Sequence, residues 1–121
     1  MLSGDLMKLI NESMYEIKKS KFYAFNFEVD NLDEVKNILE NLKKEHKKAK
    51  HIVYAYKIDN FEKKCDDGEP SGTAGLPLYN IINKKDLNHI LIVVVRYFGG
   101  IKLGAGGLLR AYNQAGSDVT K

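Results

Sequence analysis

The stretch Ile90-Leu91-Ile92-Val93-Val94-Val95-Arg96-Tyr97-Phe98-Gly99-Gly100 decides the fold. Ile90 to Val95 is apolar at every position and mostly β-branched, so neither face of the extended chain is suited to water. That is the pattern of a central strand covered on both sides. Arg96-Tyr97-Phe98 closes the strand. Beyond the loop Ile101-Lys102-Leu103-Gly104, the segment from Ala105 to about Ala115 reads as a helix whose first turn is weakened by Gly106-Gly107. A buried strand that runs through a glycine-rich loop into a helix aims unpaired backbone N–H groups and the positive end of a dipole at one point.

Upstream, Phe22 to Val29 sets Tyr23, Phe25, Phe27 and Val29 against Ala24, Asn26 and Glu28. With Tyr15-Glu16-Ile17 before it and Lys18 to Lys21 between, this predicts a hairpin with one buried face. Asn31 and Glu34 form a capping-box signature, and Leu32, Val35, Leu39, Leu42 and His46 follow at helical spacing. An amphipathic helix is expected from about Leu32 to about Lys47. Lys43, Lys44, Lys47, Lys48 and Lys50 at its exit suit the negative end of the dipole, as a solvated face or as a phosphate-contacting patch. His51 to Ile58 alternates again and gives a third strand. Asp59 to Lys64 is polar and reads as connection, Leu76 to Ile82 as a short helix with Pro77 in its first turn, and residues 1–12 as a loose lead-in. The order β-β-α-β-loop-α-β-α predicts an α+β, two-layer sandwich with the helices on one face.

The 121 residues, 44% hydrophobic and 29% charged, suit a single domain, 1–121, with one core. No run approaches the roughly 18 apolar residues of a membrane span, and the start has no signal-peptide layout. A cytoplasmic location without membrane association is therefore expected. The single Cys65 forms no internal disulfide, and Asp66 and Asp67 beside it disfavour a thiolate. A net charge of +3 is too mild to announce a nucleic-acid ligand by itself.

Two loops hold the candidate site residues. In the first, Arg96, Lys102 and Arg110 stand ready to add charge-assisted bonds to an anion at the backbone of Gly99, Gly100, Gly104, Gly106 and Gly107. The spacing matches neither the dinucleotide fingerprint nor a Walker loop. The alternative is that the glycines serve tight turns and close packing while Arg96 and Arg110 pair with structural carboxylates. The second is the turn-rich Asp66-Asp67-Gly68-Glu69-Pro70-Ser71-Gly72-Thr73-Ala74-Gly75, with His51 as its candidate companion. Asp66, Asp67 and Glu69 are hard oxygen donors but lack EF-hand spacing, and Ser71 is not in a nucleophile elbow, so neither a metal site nor a catalytic residue is assigned. His51 reads as a buried, hydrogen-bonded histidine. The plain reading of the loop is turn formation, with Ser71 or Thr73 capping the next helix.

Asp66 to Pro77 and Arg96 to Tyr112, with Ser20-Lys21-Phe22 and His51 with Tyr54-Ala55-Tyr56, resemble the Impact/YigZ family over about Tyr15 to Tyr112. The resemblance implies the N-terminal domain of that family, with a β-α-β fold shared with domain IV of elongation factor G and a ribosomal small-subunit protein. It implies no catalytic residue and no cofactor. The C-terminal ferredoxin-like domain of bacterial members is expected to be absent from this chain.

The leading expectation is a non-catalytic module that binds RNA, the ribosome or a translation-associated protein through the glycine-loop face. Two alternatives stay open: a small phosphoryl-transfer or hydrolytic enzyme, and a protein-binding adaptor in translational stress control using Tyr97, Phe98 and Tyr112. The sequence leaves oligomeric state, physiological ligand and the meeting of the two loops undecided.

Overall fold

The computed structural model describes residues 8–121. Five strands form one antiparallel sheet: β1 (Leu9–Ile17), β2 (Ser20–Glu28), β3 (His51–Ile58), β4 (Phe61–Cys65) and β5 (Ile90–Tyr97), in the spatial order β1-β2-β5-β3-β4. Among the described residues three helices accompany the sheet: α1 (Leu32–Glu45), α2 (Gly75–Lys84) and α3 (Gly104–Val119). The mixed α+β class is the one the sequence pattern predicts.

The apolar run of β5 makes it the middle strand, paired with β2 on one side and β3 on the other. Because side chains alternate, its two faces feed two separate cores. Ile90, Ile92 and Val94 join Phe22, Ala24, Val53 and Ala55 under α2 and α3. Leu91, Val93 and Val95 join Phe25, Phe27 and Ile52 under Val35, Ile38, Leu39 and Leu42 of α1. The helices are thus divided between both faces rather than gathered on one. Their apolar stripes have to cover both sets of strand residues.

One strand starts earlier than expected and another runs where a connection was expected. β1 begins at Leu9, inside the expected lead-in, of which residues 1–7 lie outside the described residues. β4 is an exposed edge strand whose residues Phe61 to Cys65 contribute mainly backbone pairing to β3. The helix expectations hold more closely: Asn31 caps α1 by accepting from the Glu34 N–H at 2.9 Å, and the Glu34 carboxylate accepts from the Asp30 N–H at 2.6 Å.

The β1–β2 hairpin closes through Lys18 and Lys19, at φ of 48° and 67°. A two-residue turn with both residues in the left-handed region ordinarily carries Asn-Gly, because side chains are disfavoured there. Here two lysines hold it. The turn is packed tightly against the glycine loop: a Cβ on Gly99 would lie 2.1 Å from the Lys19 backbone. Gly99 is fixed there by donating its N–H to Ser20 Oγ at 3.3 Å.

Candidate functional site

The register of the central strands brings the two loops together. His51 of β3 and Phe22 of β2 both lie opposite Arg96, on the face that carries α2 and α3. The loop before α2 folds back over this point and delivers Glu69. Arg96 Nη1 donates to both Glu69 carboxylate oxygens, at 2.9 and 2.8 Å, and Tyr112 of α3 donates its hydroxyl to Glu69 Oε2 at 2.5 Å. His51 Nε2 stands 3.3 Å from Glu69 Oε1, while its Nδ1 donates to the Asp67 carbonyl at 2.6 Å. Arg96 and Glu69 are only 5% and 7% exposed. The Tyr112 hydroxyl is held well above its ordinary pKa, first by burial and then by its bond to Glu69.

Glu69, Arg96 and His51 of this network line a cavity of about 320 Å³. Its walls include Lys50, His51 and Arg96 on one side and Lys102, Gly104 and Ala105 of the α3 entry on the other. The start of α3 is chemically open. Its cap residue, Leu103, offers no side-chain acceptor, and the first turn holds no acidic residue to meet the dipole. Gly104 adopts φ of +72°, which a side chain would resist. The Glu69–Arg96 pair is neutral as a unit, so the exposed Lys50 and Lys102 leave the cavity positive. Arg96 Nε has no hydrogen-bond partner among the described residues.

Other candidates sit apart from the cavity and have local structural roles. Gly100 lies at φ +91° in the loop, Gly107 packs on Leu103, and Gly106 has the Arg110 guanidinium folded over it, 3.3 Å from where a Cβ would stand. Asp66 accepts from the N–H groups of Gly72, Ala74 and Gly75, at 3.1, 3.3 and 2.8 Å. It therefore caps α2 from a distance, in place of the expected Ser71 or Thr73. Asp67 Oδ2 accepts from the Ile52 N–H at 2.7 Å, and Thr73 donates its hydroxyl to the Pro70 carbonyl at 2.6 Å. Ser71 is exposed. Among the described residues no group of three or more His, Cys, Asp or Glu could hold a metal ion.

The strand, the carboxylate loop and the glycine loop around this cavity lie within residues 18–120, which match the Impact N-terminal domain as a family. The chain belongs to the Impact family. It is 44% identical to the IMPACT family member YvyE of Bacillus subtilis over 115 residues, 93% of this chain and 53% of that protein. It is 40% identical to YigZ of Escherichia coli over 114 residues, covering 87% of this chain and 56% of the relative. It thus spans about half the length of these curated Impact relatives. A crystal structure of a hypothetical protein superposes with a TM-score of 0.86 at 34% identity, over 91% of this chain and 56% of that one. The two-domain translational regulator Yih1 shares the fold, with a TM-score of 0.56 at 24% identity over 93% of this chain and 45% of its own. No described helix is long and apolar enough to cross a membrane.

The cations divide as the structural alternative has it for Arg96, but not for Arg110, and the sequence did not point to Lys50 at this cavity. Arg96 is committed to Glu69, and Arg110 folds onto its own helix, so Lys102 and Lys50 are the charges left to a ligand. The signal for Arg96 was its place at the end of a fully buried strand, where an arginine needs a carboxylate partner.

Proposed function

We propose that this Impact-family chain is a non-catalytic binding module that takes a phosphate group of RNA, free or on the ribosome, into the cavity at the start of α3. The observation that carries this reading is the pairing of an uncapped helix N-terminus with Lys50 and Lys102 around a positive cavity. The backbone N–H groups of the first turn donate to the phosphate oxygens, and the lysines add charge-assisted bonds. The Glu69–Arg96–Tyr112 network holds the walls at fixed spacing. The description of Yih1, which shares the fold, as a translational regulator supports a role for this chain in translational control.

The test is a titration with labelled RNA at several salt concentrations, comparing the unaltered chain with Lys102→Ala and a Lys50→Ala/Lys102→Ala pair. Affinity should fall with rising salt, and removing one phosphate-contacting lysine should reduce the logarithmic slope by roughly 0.7 to 1. Salt-dependent binding that both variants retain unchanged rules the cavity out. An absence of RNA binding leaves the exposed Phe98, Ile101 and Leu109 at this edge to a protein partner.

A further inference from the structure

Arg96 and Tyr97 are neighbours in β5 and therefore point to opposite faces of the sheet. Arg96 serves the phosphate cavity. Tyr97, on the α1 side, helps line a second and larger groove of about 560 Å³, together with Lys19, Lys21, Tyr23, His46 and Phe98. Three of these rings form a packed set: Tyr97 lies edge-on to Tyr23 at 5.7 Å, and His46 is 5.8 Å from Tyr97 and 6.2 Å from Tyr23. His46 Nδ1 lies 2.6 Å from the Tyr97 hydroxyl. Tyr97 also borders a third depression, whose other walls are Lys44, Glu45, Lys47 and Lys48.

Phe98 joins these surfaces. It lines both the cavity and the groove, is 45% exposed, and is backed by the Arg96 guanidinium 5.6 Å from its ring. The ring is thus an exposed aromatic platform held from behind by a cation. Five lysines, 19, 21, 44, 47 and 48, are arrayed beyond it against Glu45, and none makes a salt bridge among the described residues. Lys19 is held at the groove by the left-handed turn pressed on Gly99. Strained backbone retained where two surfaces meet is a common companion of a binding role.

We infer that a single-stranded RNA crosses the end of the sheet at Phe98, with one phosphate in the α3 cavity, a base stacked on Phe98, and the following phosphates along the lysines of the groove. The inference rests on the phosphate-binding reading above and adds the form of the ligand and its path. Lysines interleaved with aromatic rings favour an unpaired strand, whose bases are free to stack, over a duplex, whose bases are already stacked.

The experiment compares three ligands and four variants by fluorescence anisotropy on the chain as it stands. The ligands are a short labelled oligouridylate, a duplex of equal length and base-free inorganic polyphosphate. The variants are Phe98→Ala, Phe98→Tyr, Lys19→Ala/Lys21→Ala and Lys102→Ala, each checked for an unchanged circular dichroism spectrum and melting temperature. Phe98→Ala should weaken the single strand on the order of tenfold while leaving polyphosphate affinity unchanged, and Phe98→Tyr should restore it. Lys19→Ala/Lys21→Ala should weaken both ligands. If Phe98→Ala and the groove lysine variant bind the oligouridylate as tightly as the unaltered chain while Lys102→Ala does not, the strand path is wrong and the phosphate cavity stands. Equal or tighter binding of the duplex also overturns the path. If Lys102→Ala binds normally while Phe98→Ala fails, the groove stands without the cavity. No binding of any ligand removes both and leaves the aromatic groove to a protein.

Discussion

Arg96 places one guanidinium nitrogen 2.9 and 2.8 Å from the two oxygens of Glu69, in a pair buried beneath the cavity. The pair is expensive to break because removing one partner strands the other's charge out of water. Glu69→Ala or Arg96→Ala should each lower stability by about 3–5 kcal/mol, read as a fall in urea midpoint. A well-packed apolar replacement of both, such as Glu69→Leu/Arg96→Met, should recover most of that loss. Single variants no less stable than the double one would show the pair to be solvated.

Asp66 is a cap supplied from outside its helix. Its carboxylate takes three N–H groups of the turn that starts α2, so Asp66→Ala leaves them without an acceptor. The expected cost is about 1–2 kcal/mol, together with faster amide exchange at Gly72, Ala74 and Gly75. Ser71→Ala, at an exposed side chain for which the structure gives no bond, should be close to neutral. The reverse order would return the cap to Ser71.

The contrast between Asp66 and Ser71 marks how far the residues could be read in sequence. The central strand and α1 were legible because burial on both faces needs an unbroken apolar run, and a capping box needs Asn31 and Glu34 three apart. β4 was hidden because an exposed edge strand needs only a free backbone, and Phe61 to Cys65 carry no alternation. The cavity's residue types were legible, but their meeting was not. It depends on the register that sets His51 opposite Arg96, and on Glu69 crossing 27 positions of chain to reach Arg96. The groove was missed because Lys18 and Lys19 carry no turn signature; only their φ angles show it.

Those two lysines should trade stability for binding. Asn-Gly suits a two-residue turn with both φ positive, so Lys18→Asn/Lys19→Gly should stabilise the hairpin by about 1 kcal/mol. The same change removes the Lys19 charge from the groove and should weaken RNA binding. A variant that melts no later than the unaltered chain would show that the left-handed turn carries no strain.

His46 gives the pH dependence. Burial lowers its pKa below the ordinary 6.5, because the ring lies among Tyr23, Phe25 and Tyr97, while Lys19 and Lys21 share its groove. Among the described residues no carboxylate lines that groove to favour the charged ring, and the adjacent Glu45 is exposed. Unfolded, the ring takes its proton near 6.5; folded, it does so only at lower pH. The stability this contributes is therefore complete above about 6.5 and is lost as pH falls through the folded value. Urea midpoints of the unaltered chain should drop in that window relative to His46→Gln, which has no proton to take. RNA affinity should move the other way, because the protonated ring adds a positive charge beside Lys19 and Lys21. A stability difference between the two chains that stays flat from about pH 8 to 5 would mean that His46 is not desolvated.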